Sequence, residues 1–339
     1  MLSSIQILRA MAAWAVVFHH YMQIFHGFES SNFLARFFSE YGLLGVDLFF
    51  IISGFVIYNS VSGNNVSPAS FAIQRVARIA PAYWIFTSVI AVLAANFENL
   101  IPRTEFEIEH FAKSLFFIPA YSPTGIGLLP TLSVGWTLNY EMLFYGVFGI
   151  SLFFPKKALP PVLCILVATI QIVASHSDGA FSFYGRPLIY DFLIGIVVSM
   201  AFRSGLVEKI TPVMAITLIF TSLYVMAISG AISHSPIKAG IPLAVIFAAT
   251  ISQERFLKGL RFLTHLGNWS YSTYLVHIIV ICIILKAFST YNLYEPIALF
   301  LTIAFTLILS WVSYRFLEKP VSLLFKRPTN TSSRLSSEG

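Results

Sequence analysis

Long apolar runs recur from residue 5 to residue 317, and they leave little room for any solvent but a lipid bilayer. A helix needs about 20 apolar residues to cross the hydrocarbon core. Inside it, backbone N–H and C=O groups must find partners within the protein, which selects helices or closed barrels. The runs are too long for barrel strands and predict ten helical spans: 5–25, 42–60, 79–97, 132–154, 159–175, 187–203, 210–229, 237–251, 265–286 and 295–316. The expected fold class is all-α, a polytopic transmembrane bundle of about ten spans with both termini cytoplasmic. A transmembrane domain over 1–317 is followed by a polar tail, 318–339, expected to be disordered. The run around Leu115–Ile118 is too short to span and is expected at the interface or folded back within loop 98–131.

Charge supports the even number of crossings. Alternation places Arg36, Arg103, Lys113, Arg186, Lys238 and Lys286 outside, and the other 15 of the 21 Lys and Arg inside. Positive residues favour the cytoplasmic side. The net charge of +6 is therefore a matter of topology, and no clustered soluble basic face points to nucleic acid. Charged residues make up only 11% of the chain, against roughly 25% in soluble domains. Cys164 and Cys282 both lie in apolar runs and read as small core residues, with no disulfide framework or metal cluster implied. The first run carries Arg9, His19 and His20 and lacks a cleavage end, so it reads as a mature helix.

Ionisable groups inside the spans are costly and usually functional. Arg9 and His20 are separated by eleven positions, so they share one helix face, about 16 Å apart along the axis. A snorkelling arginine and a packed histidine give the same pattern; the functional reading makes His20 a general base or acyl carrier. Asp47 in the second span and Glu141 in the fourth are expected at the depth of His20. Two carboxylates at that level would orient the imidazole and stabilise its protonated form. The bland alternatives are helix pinning and a structural ion pair. Ser53-Gly54 suits close helix approach.

Arg75 and Arg78 stand at i and i+3 in the loop before span three, where they can clamp phosphate or simply serve as flanking charge. Pro81, Tyr83 and Trp84 fit an interfacial helix start. Arg186 and Asp191 open span six and can pair, or bind a polar acceptor from outside. Tyr271, Tyr274 and His277, spaced by three, form one stripe expected to face the bundle interior.

Taken together these segments resemble the acyltransferase-3 family of integral membrane acyltransferases. The first span is similar to its arginine–ten residues–histidine signature, here Arg9 to His20. Gly45 to Phe55 resembles its Gly-Val-Asp-Leu-Phe-Phe segment, and Arg75 to Arg78 its Arg-x-x-Arg motif. Trp136 with Glu141, Ser270 through His277, and Arg315 to Pro320 add three more, in family order. The resemblance implies transfer of an acyl group, most often acetyl, from cytoplasmic acetyl-CoA or another acyl-CoA. The implied acceptor is a carbohydrate on or beyond the outer face: a polysaccharide, a lipopolysaccharide or a lipid-linked sugar. It makes His20 the catalytic residue, and Arg9, Arg75 and Arg78 the acyl-CoA-binding residues. Ser53, Trp136, Arg186, Asp191, Tyr271, Tyr274 and His277 are supporting candidates, and no metal is implied. The expected location is the inner or plasma membrane. Many members carry a further soluble domain after the helices; the length here fits the stand-alone form, similar to exopolysaccharide-modifying members. The rival reading is a transporter of a small anion or acylated sugar that uses the buried charges as a proton relay. It would be expected to carry an inverted repeat, and none is visible.

Overall fold

The computed structural model describes residues 2–29, 32–97, 99–230 and 234–325. Among these residues the secondary structure is helical, with no strand beyond one isolated bridge between Tyr121 and Leu128. The α-helices run in the order α1 (Ser3–His26), α2 (Phe33–Tyr41), α3 (Gly45–Ser62), α4 (Pro68–Asn96), α5 (Ile108–Leu115), α6 (Trp136–Ser151) and α7 (Leu159–Ser175). They continue with α8 (Tyr190–Arg203), α9 (Pro212–Ser229), α10 (Ile241–Ser252), α11 (Glu254–Leu257), α12 (Arg261–Tyr291), α13 (Glu295–Ser313) and α14 (Lys319–Leu324).

Each of the ten expected spans coincides with a helix. Among the described residues, five helical segments are both long and apolar enough to cross a membrane, or six if the bent pair Gly179–Gly185 and Pro187–Arg203 is one span. The protein is thus a helical membrane protein.

Two boundaries differ from expectation in ways that matter. Helix α4 starts at Pro68 and runs unbroken through Pro81, so Arg75 and Arg78 lie on a helix rather than in a loop, and Pro81 is internal. The start signal was polar: the Ser67 hydroxyl accepts from the Ser70 N–H, and Pro68 takes the first turn, where no N–H is needed. An apolar window cannot see such a start. At the other end, a π-helical turn over Tyr314–Glu318 leads into α14, so the start of the tail expected over 318–339 is helical rather than disordered. Residues 326–339 lie outside the described residues.

Helix α1 forms the axis of the site, and two features fix it. At its N-terminus the Glu254 carboxylate accepts from the backbone N–H groups of Ser3 and Ser4, at 2.7 and 2.8 Å, and from the Ser4 hydroxyl at 2.6 Å. A carboxylate there satisfies orphan N–H groups and opposes the helix dipole. Partial burial pushes the Glu254 carboxyl up, but the bonds from Ser4 and Ser3 outweigh it and hold it below its ordinary range.

Along its length α1 packs most extensively on α12, and α3 on α8. Glycine permits both contacts. A Cβ on Gly267 would collide with the Gln6 carbonyl, and those on Gly54 and Gly195 with the Phe192 and Ile51 carbonyls. Lipid gives no hydrophobic drive for helix association, so close backbone approach and van der Waals packing carry it. Gly267→Leu is accordingly expected to spread α1 from α12, costing about 1–3 kcal/mol by overpacking and most of the activity. Thermal unfolding in detergent checks this; an unchanged midpoint would show that the contact is dispensable.

The outer helices read differently. Only 17% of the apolar window of α9 and 28% of that of Glu295–Leu324 is buried in protein, so the remaining apolar surface is left for lipid. Cys164 is exposed on α7, contrary to its expected core position, whereas Cys282 is buried. In a bilayer the lipid face and the core are equally apolar, so hydropathy alone does not separate them.

Candidate active site

Two neighbouring cavities share the faces of α1, α6 and α12. The first collects Arg9 from α1, Arg75 and Arg78 from α4, Ser53 from α3 and Glu141 from α6, with Tyr271 on its wall. Arg9 is 9% exposed, and its guanidinium donates to the Gln6 amide oxygen at 3.2 Å. It also interacts electrostatically with Arg78, Glu318 and Glu141. The Arg75 guanidinium lies 5.2 Å from the Phe71 ring centre and 5.9 Å from that of Tyr145. The Glu141 carboxylate accepts from Ser53 Oγ at 3.1 Å and from the Tyr145 hydroxyl. Three cations and one carboxylate, Glu141, therefore line this cavity, an arrangement with room for an anionic ligand.

The second cavity lies toward the other end of α1. It is lined by His20, Gln23, Arg103, Ser133, Trp136 and Ile278, among others. It is the roomier of the two, at about 390 Å³ against about 70 Å³. His20 has a partner here that the sequence did not disclose. Its Nδ1 lies 3.0 Å from Nε2 of His277, on α12, and 3.1 Å from the Val16 carbonyl. His277 Nδ1 lies 3.2 Å from the Thr273 carbonyl.

A carbonyl can only accept, so the proton of neutral His277 sits on Nδ1. Its Nε2 is then a lone pair, and Nδ1 of His20 must donate to it. Nε2 of His20 is left with its own lone pair, the state required of a base or nucleophile. His277 is fully buried, so the dyad is fixed from behind by packing.

Between the cavities stands Tyr274. It lines the arginine cavity, and its hydroxyl donates to the Val134 carbonyl at 2.7 Å, on the wall of the histidine cavity. The Thr137 hydroxyl lies 2.8 Å from it, and the His277 ring centre 5.8 Å from the Tyr274 ring. The expected inward stripe is thus real: Tyr274 and His277 are buried and the Tyr271 hydroxyl donates to the Ile79 carbonyl at 2.8 Å.

The three groups expected at one depth are not brought together. Glu141 belongs to the arginine cavity. Asp47 is fully buried and meets His234 Nδ1 at 2.7 Å, with Asp191 beside it. His20 is served by His277 instead of a carboxylate. Of the two roles open to Arg186 and Asp191, mutual pairing is not seen among the described residues: Asp191 faces Asp47, and the Arg186 guanidinium lies 5.8 Å from the Trp136 ring centre.

Three participants, Tyr145, His234 and Arg103, had no role assigned from the sequence. Tyr145 follows Glu141 by four positions, so helical spacing could have found it. Glu318, within the Arg315 to Pro320 segment singled out above, accepts from the Ser272 hydroxyl. His234 lies between spans, and Arg103 in a long loop, and neither carried a periodic signal. Among the described residues no group of three or more His, Cys, Asp or Glu side chains is placed to hold a metal ion.

The acyltransferase-3 family model, described as an acyltransferase domain, matches residues 2–315. The exopolysaccharide production protein ExoZ of Rhizobium meliloti is 33% identical over 289 residues, covering 83% of this chain and 89% of its own. The acyltransferase MdmB of Streptomyces mycarofaciens is 24% identical, over 71% of this chain and 68% of its own. The peptidoglycan O-acetyltransferase OatA of Listeria monocytogenes is 25% identical, over 94% of this chain and 55% of its own. This chain therefore spans about half the length of that last relative. No solved structure matches it.

Proposed function

The chain belongs to the acyltransferase-3 family, and on that premise we propose that it moves an acetyl group from cytoplasmic acetyl-CoA to a hydroxyl of a cell-surface or lipid-linked carbohydrate. The observation that carries this reading is the division of labour along α1. One end offers three arginines to a phosphate-bearing donor; the other offers a histidine with a free lone pair in a wider cavity. Ten crossings with both ends cytoplasmic put the arginines on the side where CoA is found. The names of the relatives, exopolysaccharide production protein and peptidoglycan O-acetyltransferase, favour a carbohydrate acceptor.

The step follows from the dyad. The acceptor hydroxyl oxygen attacks the thioester carbonyl carbon while Nε2 of His20 takes the hydroxyl proton. The C–S bond breaks, and the proton passes from His20 to the departing CoA thiolate. An ester and free CoA thiol result, with no net change in the enzyme. The thioester reaches His20 past Tyr274, whose hydrogen bonds to Val134 and Thr137 must yield as the arm enters. His277 acts through His20 by holding its tautomer.

The test uses purified full-length protein in liposomes. Labelled acetyl-CoA is supplied on one face and a panel of sugar acceptors on the other. Label is expected to reach the acceptor, with one free CoA per ester, when the donor meets the arginine face. Passage of an intact acylated sugar without CoA release would instead establish a transporter.

A further inference from the structure

The histidine cavity has a charge character that acyl transfer by itself does not require. Among the described residues, no Asp or Glu lines it, while Arg103 does. The backbone of Arg103 is held in place: its carbonyl accepts from Thr124 Oγ1 at 3.3 Å, and neighbouring Ile101 is buried. Trp136, another wall residue, carries the Arg186 guanidinium 5.8 Å from its ring centre.

Both arginines had an alternative. Arg186 has Asp191 five positions away, but Asp191 is fully buried beside Asp47. Arg103 is followed by Glu105 and Glu107 in its own loop. Yet among the described residues neither arginine takes part in an ion pair. Guanidinium groups left without counter-ions beside a cavity raise the local concentration of anions. They match carboxylate and phosphate oxygens bidentately. Trp136 stands on the same wall, its ring flanked by the Arg186 guanidinium, His234 and Tyr140.

Resting on the acyl-transfer reading of the His20 cavity, we propose that the acceptor is an anionic carbohydrate. Arg103, on the cavity wall, and Arg186, at Trp136, hold its carboxylate or phosphate. The charge thus sets which hydroxyl reaches His20. The donor-side arginines Arg9, Arg75 and Arg78 face the other cavity and play no part in this selection.

Two matched pairs of acceptors separate the sources of charge. An acidic oligosaccharide is compared with its carboxyl-reduced form, and a polyprenyl-phosphate-linked neutral sugar with the same sugar free. Binding to the detergent-solubilised full chain is read by equilibrium dialysis, and transfer from acetyl-CoA in parallel. The anionic member of one pair is expected to bind and react at least about tenfold more tightly. Success with the first pair assigns a sugar carboxylate, and with the second a lipid phosphate.

Arg103→Gln with Arg186→Gln is expected to erase the preference by raising the acceptor KM, leaving the acetyl-CoA KM within twofold. Arg103→Lys with Arg186→Lys keeps the charge and should keep part of the preference. Equal use of charged and neutral acceptors, or a preference that survives the glutamine pair, overturns this proposal and leaves acyl transfer standing. Charge-selective binding without any transfer keeps the anionic ligand and removes the acyl-transfer reading instead.

Discussion

Replacing His20 by alanine is expected to abolish measurable acetyl transfer while the protein inserts and unfolds normally. General-base catalysis by a positioned side chain is worth about 10²- to 10⁴-fold, and no other side chain on the cavity wall carries a neutral imidazole lone pair. His277 sharpens the prediction. It touches His20 at 3.0 Å and acts through it, so its loss should cost less than the loss of His20. In the serine-protease triad, upsetting the tautomer alone costs about 10⁴-fold, which bounds His277→Ala from above. His277→Gln supplies an amide oxygen where Nε2 stood and is expected to restore part of kcat, with the acetyl-CoA KM unmoved. A merely structural role makes the loss of kcat follow the loss of thermal stability, since alanine leaves a cavity at this fully buried site; the tautomer role predicts loss of kcat beyond any change in the unfolding midpoint. Normal transfer by His20→Ala would remove the proposed mechanism altogether.

The dyad marks the boundary of what the sequence could reveal. Arg9 and His20 share a helix, so helical periodicity places them on one face whatever packs against it, and both do face cavities. The same holds for Tyr271, Tyr274 and His277 on α12. Which histidine meets which partner is decided between helices. His277 lies 257 positions from His20, and the two meet because α1 packs closely on α12, as at Gly267, whose Cβ would meet Gln6. Asp47 shows the converse. Its depth invited pairing with His20, but α3 packs on α8 through Gly54 and Gly195, and that contact turns Asp47 toward Asp191 and His234. The azimuth of a side chain relative to a neighbouring helix is not readable from window position. The arginines of α4 fall between these cases. Their i, i+3 spacing was visible, yet apolarity alone began the helix eleven positions late, at residue 79 rather than Pro68.

Arg75→Ala combined with Arg78→Ala is the second large effect, and it should appear in the donor alone. A hydrogen bond to a charged group is worth about 1.5–3 kcal/mol, and 1.4 kcal/mol is a factor of ten. Loss of the pair is therefore expected to raise the acetyl-CoA KM by about 10²-fold or more, with the acceptor KM unchanged. Arg75 needs a control. Its guanidinium lies over Phe71 and Tyr145, so alanine removes packing as well as charge. Arg75→Lys retains the charge but loses the planar fork that stacks on aromatic rings and grips phosphate in two places. If phosphate binding is the role, Lys recovers part of the donor affinity and high salt weakens the wild type toward the variant. If packing is the role, thermal stability falls with both substitutions and salt has little influence. Glu141 offers an internal check, because it shares the cavity and accepts from Ser53 and Tyr145. Removing its charge with Glu141→Gln leaves the guanidiniums less neutralised, so the acetyl-CoA KM should fall or hold even if kcat drops. A loss confined to the acceptor KM in the double arginine variant would reverse the assignment of donor and acceptor cavities. Acetyl-CoA would then have to approach from the His20 side.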